Sequence, residues 1–264
     1  MTIDPAALNQ LPVAGPLPAA VTEEELMSSG HELHESYTCP LCCLPIALPV
    51  GEHSKLEACC MKSLCDGCFL ASHQHGIRRG MCAFCRTPGP DSDEARLALV
   101  RKRVDAKDPK ASEFLAQAYY LGNYGLQHDI PRAIELWTEA ACLGDLDARY
   151  KLGRLYCDGD GVEQDVAWGI RHCQLAAIQG HPPSRHALGC HEHDNGNQEL
   201  AVQHWMISAK MGCERSLNGI KLMFIEGHAT KAQYADALKG YQNVLEETKS
   251  PQREEAKAYF NGSD

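Results

Sequence analysis

The sequence has no apolar run that approaches the length of a membrane span. Its first residues, MTIDPAALNQLPVAGPLPAA, lack a basic n-region, carry an early Asp and scatter their prolines, so they do not read as a secretory leader. Residues 1–38 contain no Lys or Arg, only six acids. Over the whole chain 25 Lys and Arg face 35 Asp and Glu, a formal net charge of −10. Phosphate backbones demand clustered Lys and Arg, so the balance argues against nucleic acid as a partner, and the single pair Arg78-Arg79 does not restore it. These absences predict a chain of the cytosol or nucleus, not secreted and not membrane-bound. Thiols stay reduced there, so its cysteines read as metal ligands or core residues rather than disulfides.

What is present is 264 residues with an apolar fraction of 44%, enough for a small metal module and one ordinary domain. Nine of the 14 cysteines fall between Cys39 and Cys85. The other five (Cys142, Cys157, Cys173, Cys190 and Cys213) stand singly and read as small core residues.

The chain divides by composition. Residues 1–38 predict a disordered tail with at most a short helix around Glu23–Met27. Residues 39–90 are the cysteine module. Residues 91–107 predict a connecting helix: Ser92 can cap it, Asp93 and Glu94 suit its first turn, and Arg101-Lys102-Arg103 its last. Asp108-Pro109 then restarts a helix, with Asp as the cap and Pro in the first turn. Residues 251–264 read as a C-terminal tail or a capping helix.

From residue 108 the sequence repeats itself. Ala140-Ala141-x-x-Gly144 recurs as Ala176-Ala177-x-x-Gly180 and as Ser208-Ala209-x-x-Gly212. Leu115-Ala116-x-x-Tyr119 matches Leu152-Gly153-x-x-Tyr156 and then Leu188-Gly189. Between them Gly122-x-x-Gly125-Leu126-x-x-Asp129 matches Gly159-x-Gly161-Val162-x-x-Asp165. Small residues let helices approach, Gly144, Gly180 and Gly212 suit helix ends, and large residues such as Trp137 and Trp205 fill the wedge between pairs. A single helix pair cannot bury its own apolar face, so stacking must supply the core. The pattern resembles the Sel-1-like repeat, a relative of the tetratricopeptide repeat. The resemblance implies a mainly α fold, an α-solenoid over about 108–250 (units near 108–146, 147–181, 182–214 and 215–250). It also implies an interaction scaffold with a protein partner in its groove. The third unit departs, replacing the Gly-x-Gly-Val loop with His191-Glu192-His193-Asp194-Asn195-Gly196.

In the module the order is Cys39-x2-Cys42, Cys59-Cys60, Cys65-x2-Cys68 and Cys82-x2-Cys85. A Cys-x2-Cys knuckle presents two thiolates to one tetrahedral zinc, and three knuckles with an extra thiol pair in so short a span form a strong signal. A segment this small lacks a hydrophobic core of its own, so metal binding would supply its folding energy. The spacing resembles the RING finger. That resemblance implies a cross-brace with two zinc ions: Cys39, Cys42, Cys65 and Cys68 on the first, Cys82 and Cys85 on the second with two ligands from the middle segment. Lys62 stands where such a finger usually has a histidine ligand. Using both Cys59 and Cys60 repairs the set, and His73 or His75 are the alternatives for its missing member. Cys43 reads as a spectator.

The RING resemblance further implies ubiquitin-ligase activity, in which the module recruits a ubiquitin-conjugating enzyme and has no nucleophile of its own. Leu41 matches an apolar position that touches the conjugating enzyme. Arg86 matches a basic position that bridges ubiquitin and its carrier, and Pro88 follows as in many such fingers. Ala83, where Pro is frequent, and Ser72, where an aromatic is frequent, argue against activity; Phe69 or Phe84 either compensates for Ser72 or packs inside the module. A non-catalytic scaffold with structural zinc is the competing class. A third idea, a metal site at Cys190-His191-Glu192-His193, lacks the surrounding partner set of an enzyme.

Overall fold

The computed structural model describes residues 21–75 and 80–261; the 1–20 segment, Arg78, Arg79 and the His75 side chain lie outside the described residues. Helix α1 (Glu23–Ser28) starts where Thr22 accepts from the Glu25 amide, and three glutamates in its first turn suit the positive end of its dipole. After a 3₁₀ turn at Glu35–Tyr37 the cysteine module follows. It holds α2 (Val50–His53), an antiparallel hairpin of β1 (Ser54–Glu57) and β2 (Lys62–Cys65), and α3 (Asp66–His75). Ser54 pairs with Cys65 and Glu57 with Lys62.

The rest is helical. Ser92 caps α4 (Asp93–Asp105), and Asp108 caps α5 (Pro109–Leu121). Then come α6 (Ile130–Cys142), α7 (Leu146–Asp158), α8 (Val166–Ala177), α9 (Pro182–Asp194), α10 (Gln198–Lys210), α11 (Glu214–Ile225), α12 (Lys231–Glu247) and α13 (Pro251–Asn261). The recurrent aspartates of the sequence act as caps: Asp129, Asp145 and Asp165 each accept from an amide three residues on. Gly144, Gly180 and Gly212 lie beyond the ends of α6, α8 and α10 at positive φ. The Gly153–Gly169 pair has another reason: a Cβ on Gly153 would meet the Gly169 carbonyl at 2.9 Å and Cys173 Sγ at 2.7 Å, so α7 and α8 touch backbone to backbone.

The cysteine module is not a separate bead. Ala58 and Met61 of its hairpin join the core formed by Leu97, Val100, Leu115, Ile134 and Trp137. Trp205, Ile220 and Met223 anchor a second core further along. Of the lone cysteines Cys173 and Cys213 are buried, as expected of core residues; Cys142, in the last turn of α6, is exposed, because the stack continues on the helix's other faces.

The described part of the expected tail is folded, which corrects the reading of a disordered 1–38 for residues 21–38. Leu26 packs with Cys173, Ala177 and Leu188. The buried Arg185 guanidinium donates to the carbonyls of Leu26 (2.6 Å), Ser29 (2.7 Å) and Ala177 (3.2 Å). It thereby satisfies the carbonyls that the end of α1 leaves open. Burial without a carboxylate partner lowers its pKa to about 10. Composition hid this because the anchor is one arginine, 159 residues from its acceptor. Arg185→Leu should release residues 21–38, seen as faster amide exchange there. The expected stability loss is roughly 3 kcal/mol, from charge-assisted hydrogen bonds of about 1.5–3 kcal/mol each.

Acid should loosen the solenoid through three histidines: His186, which burial with nearby Arg215 and Arg154 lowers to about 4, and the pair His172 and His204. Burial, reinforced by nearby Arg149, lowers His172 to about 4, and burial with nearby Arg185 lowers His204 to about 3. All three are neutral in the fold, so their contribution is intact above the ordinary imidazole value of about 6.5 and is lost as pH falls towards those folded values. The slope should approach about 1.4 kcal/mol per pH unit for each histidine. Denaturant midpoints across that range, compared with those of His204→Phe, check it; the variant should show the shallower slope.

Candidate metal centre

Two knuckles share one backbone scheme. Cys39 N–H donates to Leu44 O and Cys43 N–H to Cys39 O, while Cys82 N–H donates to Thr87 O and Arg86 N–H to Cys82 O. The bridges Thr38–Pro45 and Met81–Pro88 close the two loops. Tightness forces the residue after each second cysteine into the left-handed region, Cys43 at φ 57° and Arg86 at φ 58°. The third knuckle is different: Cys65 ends β2 and Cys68 lies in the first turn of α3.

These elements bring eight sulfurs into two groups. Cys39, Cys42, Cys65 and Cys68 form one, Cys59, Cys60, Cys82 and Cys85 the other, and within each group the sulfurs lie within 4.8 Å of one another. First and third pairs share one group, second and fourth the other. A tetrahedron of zinc–sulfur bonds near 2.3 Å has edges of about 3.8 Å. Cys42–Cys65 at 3.8 Å and Cys60–Cys82 at 3.6 Å match it, and Cys59–Cys85 is tighter at 3.2 Å. Backbone amides already point at sulfur, Cys65 N–H at Cys39 (3.5 Å) and Phe84 N–H at Cys82 (3.4 Å). Each group can hold one metal ion, and four thiolates suit a thiophilic, four-coordinate cation. Burial, with the Cys82 sulfur adding to it, pushes the Cys60 thiol up to about 11, whereas the hydrogen bond from Cys65 lowers Cys39 to about 4, so the thiols of the two groups are strongly uneven.

Of the two alternative ligands the His75 side chain lies outside the described residues, and His73 stands apart from both groups. His73 Nδ1 is bonded to Phe69 O (2.9 Å) and its ring stacks on Phe69, outside both groups. Lys62 lays its ammonium over the Phe84 ring at 4.8 Å. Cys43 is exposed and outside both groups. Phe69 and Phe84 pack against the small core of Cys39, Ile46, Leu64 and Cys65. Leu41 is 43% exposed on the first knuckle, and Arg86 is exposed beside the second group. At Cys190-His191-Glu192-His193 each side chain has its own partner instead of converging: Cys190 with His186, His191 with Asn195, Glu192 with Asn197 and His193 with Gln198.

Sequence reasoning missed Arg253. Helix α13 does not cap the solenoid; it lies on α3, so closely that a Cβ on Gly67 would meet Arg253 N at 2.8 Å. The Arg253 guanidinium donates to Leu44 O (3.2 Å), Pro45 O, Thr248 O (2.7 Å) and Cys42 Sγ (3.5 Å). It fixes the first knuckle and sets positive charge beside four sulfurs. No local pattern announces a contact spanning 211 residues.

With the geometry in hand, similarity places the solenoid. The Sel1 repeat family matches residues 109–145 and 146–181. Residues 109–181 are two Sel1 repeats. The human protein sel-1 homolog 2 is 29% identical over 113 residues, covering 43% of this chain but only 16% of its own length. A Sel1 repeat protein from Oxalobacter formigenes superposes with a TM-score of 0.52 at 21% identity, covering 69% of this chain and 71% of that one. A protective antigen of uropathogenic Escherichia coli with an SLR fold gives 0.50 at 25% identity over 58% of this chain and 33% of that one. The matches place these helix pairs in a Sel1-type repeat solenoid, and the same chain carries two cysteine groups able to bind metal.

Elemental analysis of the purified chain should give two metal ions per molecule, each group losing its ion when one of its cysteines becomes Ser. Cys59→Ser and Cys60→Ser should each cost one ion, and His73→Ala none. Arg253→Gln should speed chelator stripping from the first group and leave the second unchanged. A single ion per chain, or loss on His73→Ala, rejects the arrangement.

Proposed function

We propose that both cysteine groups hold zinc and that the chain is a RING-type ubiquitin ligase, or ligase component, whose solenoid selects the substrate. The observation that carries this reading is the interleaving of the four cysteine pairs, first with third and second with fourth. Cys59 and Cys60 complete the second zinc site. Zinc when bound supplies a rigid link between distant loops, and catalysis then consists of positioning a ubiquitin-loaded conjugating enzyme rather than of any bond made by the protein. Leu41, exposed on a loop fixed by Arg253, offers apolar surface to that enzyme. Arg86, held by the tight turn after Cys85, presents a rigid fork suited to bonding two carbonyls at once. A reducing compartment, cytosol or nucleus, follows from the demand for thiolates.

A second reading, a non-catalytic scaffold with structural zinc, draws on one specific observation. Helix α13 lies along α3, and Ser72 on α3 turns its hydroxyl to the Phe69 carbonyl (2.8 Å) instead of offering an aromatic. Ala83 also lacks the proline frequent at its place.

Discharge of a ubiquitin-loaded conjugating enzyme separates the two. Leu41→Ala should weaken conjugating-enzyme binding by about 1–2 kcal/mol, the usual contribution of a buried interface leucine. Arg86→Ala should leave binding unchanged and slow discharge, since it acts on the charged conjugate alone. Both variants keep their zinc. Absence of discharge across a broad panel of conjugating enzymes leaves the scaffold reading in place.

A further inference from the structure

The cysteine module and the solenoid enclose a cavity of about 860 Å³ between them. Its module wall combines the apolar Leu48, Pro49, Val50 and Leu56 with Ser54, Lys55 and Ser63 of the hairpin. Its solenoid wall is a stripe drawn from the first helix of successive pairs: Phe114 and Gln117 on α5, Tyr150 and Lys151 on α7, Pro183 on α9, Arg215 on α11. A stripe that runs across the stack in one register is shaped for an elongated ligand, and the volume falls in the usual range for ligand sites, about 300–1,000 Å³.

Its charge departs from that of the chain. Among the lining residues five are basic (Lys55, Arg96, Lys110, Lys151, Arg215) and three acidic (Glu113, Asp147, Glu214), on a protein of net charge −10. Lys110 is consumed internally, bridging Glu113 (3.3 Å) and Asp147 (2.6 Å), and Lys55 faces Asp66 at 3.6 Å. Arg96, Lys151 and Arg215 form no ion pair among the described residues, and Glu214 alone opposes them. Two polar groups of the lining also lack partners: the Tyr37 hydroxyl, on a residue 5% exposed, and Gln117 Oε1.

We infer that this cavity is the docking site for an extended acidic peptide segment of a partner protein. The inference rests on the scaffold half of the proposed function and adds the chemistry of the partner. Carboxylates meet Arg96, Lys151 and Arg215, and apolar side chains meet Phe114, Tyr150 and the module wall. A nucleic acid fits poorly, because three unpaired cations on a chain of net charge −10 are too few for a continuous phosphate backbone. The module is one wall, so the site exists only while it is folded against the repeats.

A phage library of random short peptides, panned on the zinc-loaded full chain, tests this. Enriched peptides should carry an excess of Asp and Glu. Synthetic copies should bind Lys151→Glu/Arg215→Glu at least about tenfold more weakly, as expected when desolvated charge pairs are lost, while zinc content, helicity and conjugating-enzyme discharge stay as in wild type. Replacing their carboxylates by amides should weaken them equally, and added salt should weaken the acidic copies alone. No enrichment, enrichment without acids, or equal binding to the double variant overturns the inference. So does tighter binding after removal of residues 1–20, which would give the cavity to the chain's own N-terminus. Failure of ubiquitin discharge alone would count against the ligase reading and leave this site standing.

Discussion

The crowding of sulfur governs this structure. Four thiol groups within 4.8 Å of one another cannot all ionise in a partly buried setting unless a cation sits among them. Around the first group the protein's own contribution is small: Ile46 and Leu64 with the buried Cys39 and Cys65, edged by two phenylalanines. Such a core falls well short of the entropy of ordering some fifty residues, and metal–thiolate bonds are the term large enough to offset it. The short hairpin, the twin knuckles and the left-handed Cys43 and Arg86 all exist in the service of sulfur placement.

The two groups are not equivalent. In the first, Cys39 and Cys65 are buried and Arg253 brings a guanidinium to Cys42. In the second, Cys82 is buried and Cys85 exposed, and the neighbouring Lys62 is turned onto Phe84. Positive charge favours the thiolate over its protonated form and burial shields sulfur from solvent and oxidants, so the first centre is built as the fixed one and the second as the accessible one. Arg86, exposed after Cys85, belongs to the accessible end.

The first and last described helices are tied down by arginines that donate to carbonyls. Arg185 holds the end of α1 on α8 and α9, and Arg253 holds α13 on the first knuckle. With Ala58 and Met61 built into the solenoid core, these contacts make the module a wall of the solenoid's groove rather than an appendage.

Local rules made much of this legible in advance. Capping aspartates, small-residue pairs and repeat spacing are properties of a few neighbouring residues, so the helix pairs and their turns follow from them. Ligand spacing likewise marks the cysteines, because a knuckle is a four-residue event. Three things needed the folded chain. Cys59 rather than His73 completes the second sulfur group, because α3 carries His73 onto Phe69 and away from it. Residues 21–38 are folded although their composition reads as a tail, because one distant arginine satisfies their carbonyls. The charge of the groove opposes that of the chain, because residues from four helices and a hairpin meet only in three dimensions. The sequence by itself determined the periodic and the short-range: which segments coil, where they stop, which thiols come in pairs. Tertiary structure decided which pairs share a site and what faces the groove, since those contacts join residues that no local periodicity connects.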